Sequence, residues 1–419
     1  MEKRDEWSSV ARECTGSTFL FYLFSCSSLP IPYFCKYNPT HRCKYNPTHR
    51  KQMNHLERLT RIARPTHTCR VWFHVLRILM PHKHVDISAA NAVTLIRQIH
   101  CPQVKSCVMN NRVASAPQYD LMLIIATYNG GAALQQCVGS IVSQPTKYKL
   151  HVVVVDDCST DGSVEALKRE CKDERVEYLA MKVNSGVSAA RNAALHDIDS
   201  RYIGFVDADD VLPQGTIDKW LDRAYAADAD VVEGSMVVTD GDKRSLLVSH
   251  DDGCDVNRLT GYACGKVFSA RLFEHVGFPE GVRYEDTLLS FVLYRLADKV
   301  STLSDVTYEY SRHEGSFTSR EHGNPASLDA YWVVRQLLDD LHTLHIPHDQ
   351  ALYDAFLMGM KLSANRLDAV GGGVCEAYFA AMIELAQEFN AMRSHKLKYV
   401  DEAIRKSDFT LYRLASYLL

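Results

Sequence analysis

Residues 202–210 read Tyr-Ile-Gly-Phe-Val-Asp-Ala-Asp-Asp, an apolar run that ends in three carboxylates. Two carboxylates about 4 Å apart repel each other by about 4 kcal/mol at an effective dielectric constant of about 20, so such a cluster must be exposed or neutralised by a cation. Carboxylate oxygens suit hard divalent ions such as Mg²⁺ and Mn²⁺, which favour sites where a diphosphate completes the coordination. Taken alone, the stretch fits an acidic loop that caps the next helix equally well.

The composition divides the chain into two parts. Residues 1–115 carry 17 Lys and Arg against 6 Asp and Glu, whereas the remainder carries 30 against 45. The 13 cysteines show no spacing typical of a disulfide framework, so we expect a cytoplasmic protein. The sequence therefore predicts a basic N-terminal extension, residues 1–115, that is poorly ordered or of unknown role.

The N-terminal extension contains a tandem octapeptide, in which residues 35–42 are repeated as residues 43–50. Its cysteines and histidines match the spacing of no usual zinc finger. The basic surplus suits an anionic membrane or nucleic acid, but no recognisable reading module accompanies it, so no specific nucleic acid is expected. The apolar run at residues 19–34 is too short and too interrupted for a spanning helix.

From Tyr119 onward, apolar runs of strand length alternate with helical periodicity, a pattern typical of βαβ units and a mainly parallel sheet. After residue 328 the pattern is helical to the end, interrupted by three glycines at 371–373. Strands are predicted at residues 121–126, 150–155, 176–180, 202–206, 231–238 and 307–310.

Polar segments follow the predicted strands where ligands bind in parallel sheets, beyond the carboxyl ends. Residues 127–130 read Thr-Tyr-Asn-Gly, residues 156–162 read Asp-Asp-Cys-Ser-Thr-Asp-Gly, and the acids of 207–210 follow the fourth strand. Residues 184–192, Asn-Ser-Gly-Val-Ser-Ala-Ala-Arg-Asn, open a helix whose N-terminus favours an anion. Each segment is a weak signal alone, whereas their joint order is specific.

In this order the segments resemble the family 2 glycosyltransferases, which have the GT-A fold, an α/β fold with a mainly parallel central sheet flanked by helices. The resemblance continues through residues 265–266, 284–286, 310–312 and 315–318, where it is similar to the bacterial surface-polysaccharide branch. It implies a GT-A domain at 116–327, with a nucleotide-binding half at 116–240 and an acceptor half at 241–327. A helical C-terminal region at 328–419 would follow.

The resemblance also implies which residues bind the donor nucleotide. Tyr128 would stack on the base, and Asp157 would hydrogen-bond the edge of the base or the ribose. Arg191 and Lys266 would reach the diphosphate. The alternatives left open are a loop cap for Asp157 and ordinary surface charges for Arg191 and Lys266. The full set implied for the donor is Thr127, Tyr128, Asn129, Asp157, Arg191, Asp207 and Lys266.

The remaining implied roles concern the metal and catalysis. Asp207 and Asp209 form a DXD motif in which Asp209 binds Mn²⁺ or Mg²⁺ directly and Asp207 holds the ion through water or the donor. Asp210 is expected to cap the next helix. Asp286 would be the catalytic base, oriented by Glu285, and the alternative is an acid pair at a helix N-terminus.

The predicted activity is an inverting, metal-dependent transfer of a sugar from a nucleotide-diphosphate donor, with a UDP-sugar favoured, to a glycan, lipid-linked or other hydroxyl acceptor. We expect a cytoplasmic protein with room for peripheral contact at the inner face of the membrane. A sugar nucleotidyltransferase is an alternative, although the Gly-rich phosphate loop that such enzymes carry is missing here. A catalytically silent module that binds nucleotide sugars is the other.

Overall fold

The computed structural model describes residues 67–312 and 323–419, all within one compact unit. The tandem octapeptide, the apolar run of the N-terminal region and residues 315–318 lie outside the described residues. In chain order, the elements up to residue 207 are α1 His67–Leu79, α2 Ala89–Ile99, β1 Arg112–Val113, β2 Tyr119–Thr127, α3 Gly131–Val142, β3 Leu150–Asp156, α4 Ser163–Glu170, β4 Val176–Ala180, α5 Val187–Leu195, β5 Asp197–Ile198 and β6 Ser200–Asp207.

The second part of the described chain completes the sheet and then becomes helical. Its elements are α6 Thr216–Ala227, β7 Val231–Asp240, β8 Lys243–Val248, β9 Lys266–Ser269, a π-helical turn Leu289–Leu293 that continues as α7 Tyr294–Leu296, β10 Val300–Arg312, α8 Asp329–Thr343, α9 Gln350–Asp368, α10 Val374–Leu385, a 3-10 helix Ala386–Phe389, α11 Lys398–Arg405 and α12 Phe409–Leu418.

The strands form one mixed, mainly parallel sheet in the order β10-β7-β9-β6-β2-β3-β4, with β8 on β7. Strand β2 pairs in parallel with both β3 and β6, and β10 pairs in parallel with β7. Strand β9 lies antiparallel between β6 and β7. The predicted α/β class is therefore confirmed, and the predicted strands coincide with β2, β3, β4, β6, β7 and the end of β10.

The register of the central strands brings the predicted site segments to one level. Ala126 on β2 pairs with Asp207 on β6, and Thr127 pairs with Asp156 on β3. Because these strands run in the same direction, the three loops that follow them leave the same edge of the sheet. The polar segments therefore meet where ligands bind in sheets of this kind.

The predicted N-terminal extension needs a correction, because residues 67–115 belong to the folded unit. Phe73 on α1 and Ile96 on α2 are fully buried in the hydrophobic core that also contains the C-terminal helices. The indole N–H of Trp332 on α8 donates to the carbonyl of His100 at 3.0 Å. The basic surplus of this segment misled the prediction, since two amphipathic helices bury apolar faces whatever charge their outer faces carry.

The predicted helical C-terminal region is confirmed, and its last two helices bury apolar faces against the rest of the described unit. Buried residues include Ile404 on α11 and Leu411 and Tyr412 on α12. Their amphipathic pattern therefore serves packing. Among the described residues, no helix combines the length and apolar character that crossing a membrane requires.

Replacing Phe73 with Ala tests whether the N-terminal helices are part of the core. Phe73 is fully buried, so the substitution should lower the free energy of unfolding by about 3–5 kcal/mol. Ile78→Ala on the same helix is the matched control, because Ile78 is 82% exposed, and it should change that free energy by less than about 0.5 kcal/mol. Urea unfolding followed by circular dichroism measures both, and equal curves for the two variants would contradict the correction.

Candidate active site

The loops after β2 and β3 hold each other in place. The backbone N–H of Asn129 donates to Oγ of Ser159 at 2.9 Å, and Oδ1 of Asn129 accepts the N–H of Thr160 at 2.8 Å. Asn129 and Cys158 both have left-handed backbones, with φ of 54° and 67°. Such conformations cost about 1–3 kcal/mol for a residue with a Cβ and persist where surrounding contacts impose them. Here the mutual hydrogen bonds of the two loops supply those contacts.

Tyr128 is an exposed aromatic residue in the loop that follows β2. Its side chain is 53% exposed, whereas the neighbouring Thr127 is buried. The carbonyl of Thr127 accepts the N–H of Asp157 at 2.8 Å, which fixes the start of the second loop beside the first. Tyr128 is therefore placed where a planar base can stack on it, while Thr127 supports the loop through its backbone.

Asp157 is buried and binds the loop that opens α5. Its Oδ1 accepts the N–H of Ser185 at 2.7 Å, and its Oδ2 accepts the N–H of Gly186 at 2.8 Å. The loop-capping alternative is thus present in the structure. An ionised carboxylate has about four acceptor sites, so two remain after these bonds. The predicted contact of Asp157 with the nucleotide stays a prediction.

The acidic turn after β6 is held by hydrogen bonds to β10. The fully buried hydroxyl of Tyr308 accepts the N–H of Asp207 at 3.1 Å and donates to Oδ2 of Asp210 at 2.7 Å. Oδ1 of Asp210 accepts the N–H of Ser311 at 2.8 Å. The prediction that Asp210 caps the next helix was wrong, because Asp210 joins the turn to β10. Burial, and after it the charge of Asp207, raise the pKa of Asp210 to about 8.

The other two acids of the turn are more accessible to solvent than Asp210. Asp207 and Asp209 are half-exposed, and the side chain of Asp207 is 43% exposed to solvent. Two accessible carboxylates at the end of a rigid strand fit a hard divalent ion whose remaining ligands come from diphosphate oxygens and water. The carboxylate oxygens of Asp207 and Asp209 are therefore suitable ligands for the predicted Mn²⁺ or Mg²⁺.

Arg191 connects the acidic turn to the predicted catalytic pair. Its Nη2 donates to Oδ1 of Asp207 at 3.0 Å, and its Nη1 donates to Oε1 of Glu285 at 2.9 Å. The guanidinium lies 5.7 Å from the ring of Phe205 and 5.1 Å from that of Phe278, within cation–π range. Burial lowers its pKa, but the two carboxylates outweigh that effect and raise the pKa above the usual value. Its predicted contact with the diphosphate stays a prediction.

Asp286 lies beside this ion-pair network, after a strained backbone. Tyr284 has a φ of 61°, and the half-buried Asp286 follows two residues later. Burial first, and then the charge of Glu285, raise the pKa of Asp286 to about 7, while Arg191 and Arg366 act to lower it. Arg366 on α9 places its guanidinium 4.8 Å from the ring of Tyr284. No sequence pattern indicated Arg366, because its position depends on how the C-terminal helices dock.

Asn192 is a second positioning residue whose role was not predicted. It is buried, its Nδ2 donates to the carbonyl of Phe278 at 2.9 Å, and its Oδ1 accepts the N–H of Phe278 at 2.7 Å. Nδ2 also donates to Oε1 of Glu280 at 3.0 Å. Asn192 therefore fastens α5 to the segment that leads to Glu285, and its position directly after Arg191 was the available signal.

Lys266 has an environment that differs from the predicted one. Its side chain is fully buried, and Nζ lies 3.1 Å from Oε1 of Glu233. Nζ also donates to the hydroxyl of Tyr294 at 2.8 Å and the carbonyl of Thr260 at 2.8 Å. An ammonium group has three N–H donors, and these three partners occupy them. The arrangement therefore corrects the expected diphosphate contact, because the ammonium group of Lys266 is engaged in a buried ion pair with Glu233.

Residues 122–266 match the family model for Glycosyl transferase family 2. This match assigns residues 122–266 to a family 2 glycosyltransferase domain. The matched segment covers β2 to the start of β9 and includes Tyr128, Asp157, Arg191, Asp207 and Asp209. The turn with Glu285 and Asp286 follows it. The predicted family resemblance is thus confirmed.

The chain is similar to bacterial proteins named as glycosyltransferases, one of which is named for teichuronic acid biosynthesis. Glycosyltransferase GlyA of Streptococcus pneumoniae is 29% identical over 220 residues, 47% of this chain and 31% of GlyA. The putative teichuronic acid biosynthesis glycosyltransferase TuaG of Bacillus subtilis is 35% identical over 172 residues, 41% of this chain and 58% of TuaG. The chain thus spans about a third of the length of GlyA, although it spans 80% of the related S. pneumoniae glycosyltransferase GlyG.

The fold is similar to that of the S. aureus protein TarS, whose residues 1–349 have been solved in complex with UDP-GlcNAc. The TM-score is 0.56 at 22% sequence identity, over 71% of this chain and 90% of that chain. TarS is a poly(ribitol-phosphate) beta-N-acetylglucosaminyltransferase. At this level of identity the similarity concerns the fold, and it confirms the predicted GT-A class.

Removing Arg191 tests whether the guanidinium holds the two turns together. Arg191→Leu leaves Asp207 and Glu285 without their shared cation, so it should lower the free energy of unfolding by about 1–3 kcal/mol, less than for a fully buried pair because the side chain of Asp207 is 43% exposed. Arg191→Lys should restore part of the loss, because one ammonium cannot match the two-sided guanidinium geometry. Arg112→Leu, which breaks an exposed ion pair with Asp197, should leave stability nearly unchanged. Chemical unfolding measures all three, and equal losses at Arg191 and Arg112 would contradict the assignment.

Proposed function

We propose that this chain is an inverting, metal-dependent glycosyltransferase that moves a sugar from a nucleotide-diphosphate donor to a hydroxyl acceptor in surface polysaccharide synthesis. The observation that carries this proposal is the link made by Arg191. One buried guanidinium pairs the DXD carboxylate Asp207 with Glu285, which precedes Asp286. The two halves of the predicted chemistry therefore share one edge of the sheet.

The donor nucleotide would lie on the loops after β2 and β3. The exposed ring of Tyr128 supplies a stacking surface, and the remaining acceptor sites of Asp157 would receive N–H or O–H groups of the base or ribose. A UDP-sugar is the favoured donor, supported by the UDP-GlcNAc complex of TarS, which shares the fold.

The diphosphate would lie against the accessible acids of the turn after β6. Asp209 would hold the divalent ion directly, and Asp207 would orient the ion and its water while staying paired with Arg191. When bound, Mn²⁺ or Mg²⁺ supplies the positive charge that stabilises the departing diphosphate. The hydrogen bonds of Tyr308 with Asp207 and Asp210 hold the turn in one conformation, so Asp207 and Asp209 would need no reorganisation to hold the ion.

Asp286 would act as the general base. It takes the proton of the acceptor hydroxyl as the hydroxyl oxygen forms its bond to the anomeric carbon. The bond between the anomeric carbon and the diphosphate oxygen breaks, and its electron pair stays on the departing diphosphate. One displacement of this kind inverts the anomeric configuration. A carboxylate with a pKa raised to about 7 is well suited, because general bases work best with a pKa near the working pH.

The acceptor would be a glycan or a lipid-linked saccharide. This proposal is supported by the names of the relatives, which include a beta-glucosyltransferase of poly(ribitol-phosphate) and a succinoglycan biosynthesis protein. A cytoplasmic location with peripheral contact at the inner face of the membrane would bring the site to such an acceptor.

Replacing Asp286 with Asn tests the base. The variant keeps the size of the side chain but cannot accept the proton, so transfer should fall by about 10²–10⁴-fold while donor binding is retained. The wild-type rate at low substrate concentration should fall as the pH drops through about 7, because the base becomes protonated there. The residual rate of the variant should lack this dependence. Release of nucleoside diphosphate, screened over nucleotide sugars, is the assay.

Substitutions of Arg366 test the assignment of the pH profile to Asp286. Its positive charge lowers the pKa of Asp286, so Arg366→Gln should move the midpoint of the profile to higher pH, and Arg366→Lys should move it back. Near wild-type transfer by the Asp286 variant would remove the base assignment. Binding of UDP without any turnover in the wild type would favour the silent nucleotide-sugar module.

Replacing Asp209 with Ala tests the metal site. The variant should lose the Mn²⁺-dependent part of UDP binding, because one of two accessible carboxylate ligands is gone. Asp252→Ala is a matched control, since Asp252 is an exposed acid paired with Arg223. Calorimetric titration with UDP, with and without Mn²⁺, gives the comparison. An unchanged effect of Mn²⁺ in the Asp209 variant would refute the role of this residue.

A further inference from the structure

Three metal-ligating side chains converge in the helical C-terminal region. His342 lies in the last turn of α8, His348 lies in the loop before α9, and Glu388 lies in the 3-10 helix after α10. One nitrogen or oxygen atom from each lies within 4.8 Å of the others. This group shares no residue with the candidate active site.

The separations in this group suit metal coordination better than hydrogen bonding. Nε2 of His342 lies 3.4 Å from Oε2 of Glu388, and Nδ1 of His348 lies 3.6 Å from the same oxygen. Both distances exceed the range of about 2.7–3.2 Å that an N–H···O hydrogen bond prefers. Ligands bound to Zn²⁺ at about 2.0–2.1 Å in tetrahedral geometry lie about 3.3–3.4 Å apart. Two of the three separations are thus close to the spacing of zinc ligands, and the ligand atoms of the two histidines lie within 4.8 Å of each other.

The surroundings favour His348 as a fixed ligand. Its ring lies 5.1 Å from the ring of Phe389 and 5.3 Å from that of His342, and its side chain is 15% exposed. Nε2 of His348 is buried, whereas Nδ1 lies next to Glu388, so Nδ1 is the nitrogen placed to bind an ion. The side chain of His342 is 66% exposed, which leaves the open side of the group accessible to solvent.

We propose that His342, His348 and Glu388 form a Zn²⁺ site, with water as the fourth ligand. Two imidazoles and one carboxylate are a ligand set that Zn²⁺ accepts and that Mg²⁺ does not prefer. The ion cross-links the end of α8, the loop before α9 and the segment after α10. Since His348 directly precedes Asp349, the N-cap of α9, the ion stabilises the start of the helix that carries Arg366.

Zinc titration of the full-length chain tests this site. The protein is first stripped of metals and then titrated with Zn²⁺ against a fluorescent chelator in excess Mg²⁺, which occupies oxygen-rich sites. His342→Ala is the main variant, because an exposed side chain can be removed without loss of the fold. His348→Gln is the second variant. His345→Ala is the matched control, since His345 lies between the two histidines but outside the group.

The test compares the amount of Zn²⁺ bound by the variants and by the wild type. Zinc bound elsewhere in the chain contributes equally to each protein and does not affect the comparison. His342→Ala should lose one equivalent of Zn²⁺ or bind that equivalent at least about tenfold more weakly, whereas His345→Ala should match the wild type. Added Zn²⁺ should raise the unfolding temperature of the wild type and of His345→Ala, but not that of His342→Ala. Identical titrations of wild type and His342→Ala, or an equal loss in His345→Ala, would overturn the proposal.

Discussion

The buried guanidinium of Arg191 is the interaction on which the candidate active site depends. A charge taken out of water is tolerated only when it is paired and hydrogen-bonded, and Arg191 has two carboxylate partners from two distant segments. Asp207 ends a central strand, whereas Glu285 lies in the segment between β9 and β10. Neither turn can move far without leaving the cation unpaired. The same pairing therefore fixes the distance between the acids that would hold the donor and the acid that would activate the acceptor.

Further contacts make this arrangement rigid. Tyr308 and Asp210 tie the acidic turn to β10, and Asn192 ties α5 to the segment before Glu285. Three of the left-handed non-glycine residues, Asn129, Cys158 and Tyr284, lie in the loops of this edge of the sheet. Backbone strain is retained where surrounding contacts impose it, and at active sites it accompanies preorganisation. This edge of the sheet therefore combines strained turns with hydrogen bonds that hold them, an arrangement suited to a site that must keep charged groups in place.

The sequence predicted the sheet and the donor side well, because both depend on local patterns. Valine-rich runs mark buried parallel strands, and parallel strands place the loops that follow them at one edge. The prediction failed where a residue's environment depends on distant segments. Lys266 follows a glycine at the end of a matched motif, yet β9 inserts antiparallel between β6 and β7 and buries it beside Glu233. The helices α1 and α2 were missed because net charge says nothing about which face of a helix packs.

Arg366 shows why the acceptor side is the harder half to predict. The family match ends at residue 266, while Glu285, Asp286 and Arg366 all follow it. Burial and Glu285 favour the protonated form of Asp286, and the two arginines oppose them. One of these arginines belongs to the GT-A sheet edge and the other to the C-terminal helices. The protonation of the proposed base would therefore depend on both regions, so the helical region would contribute to the proposed chemistry as well as to packing.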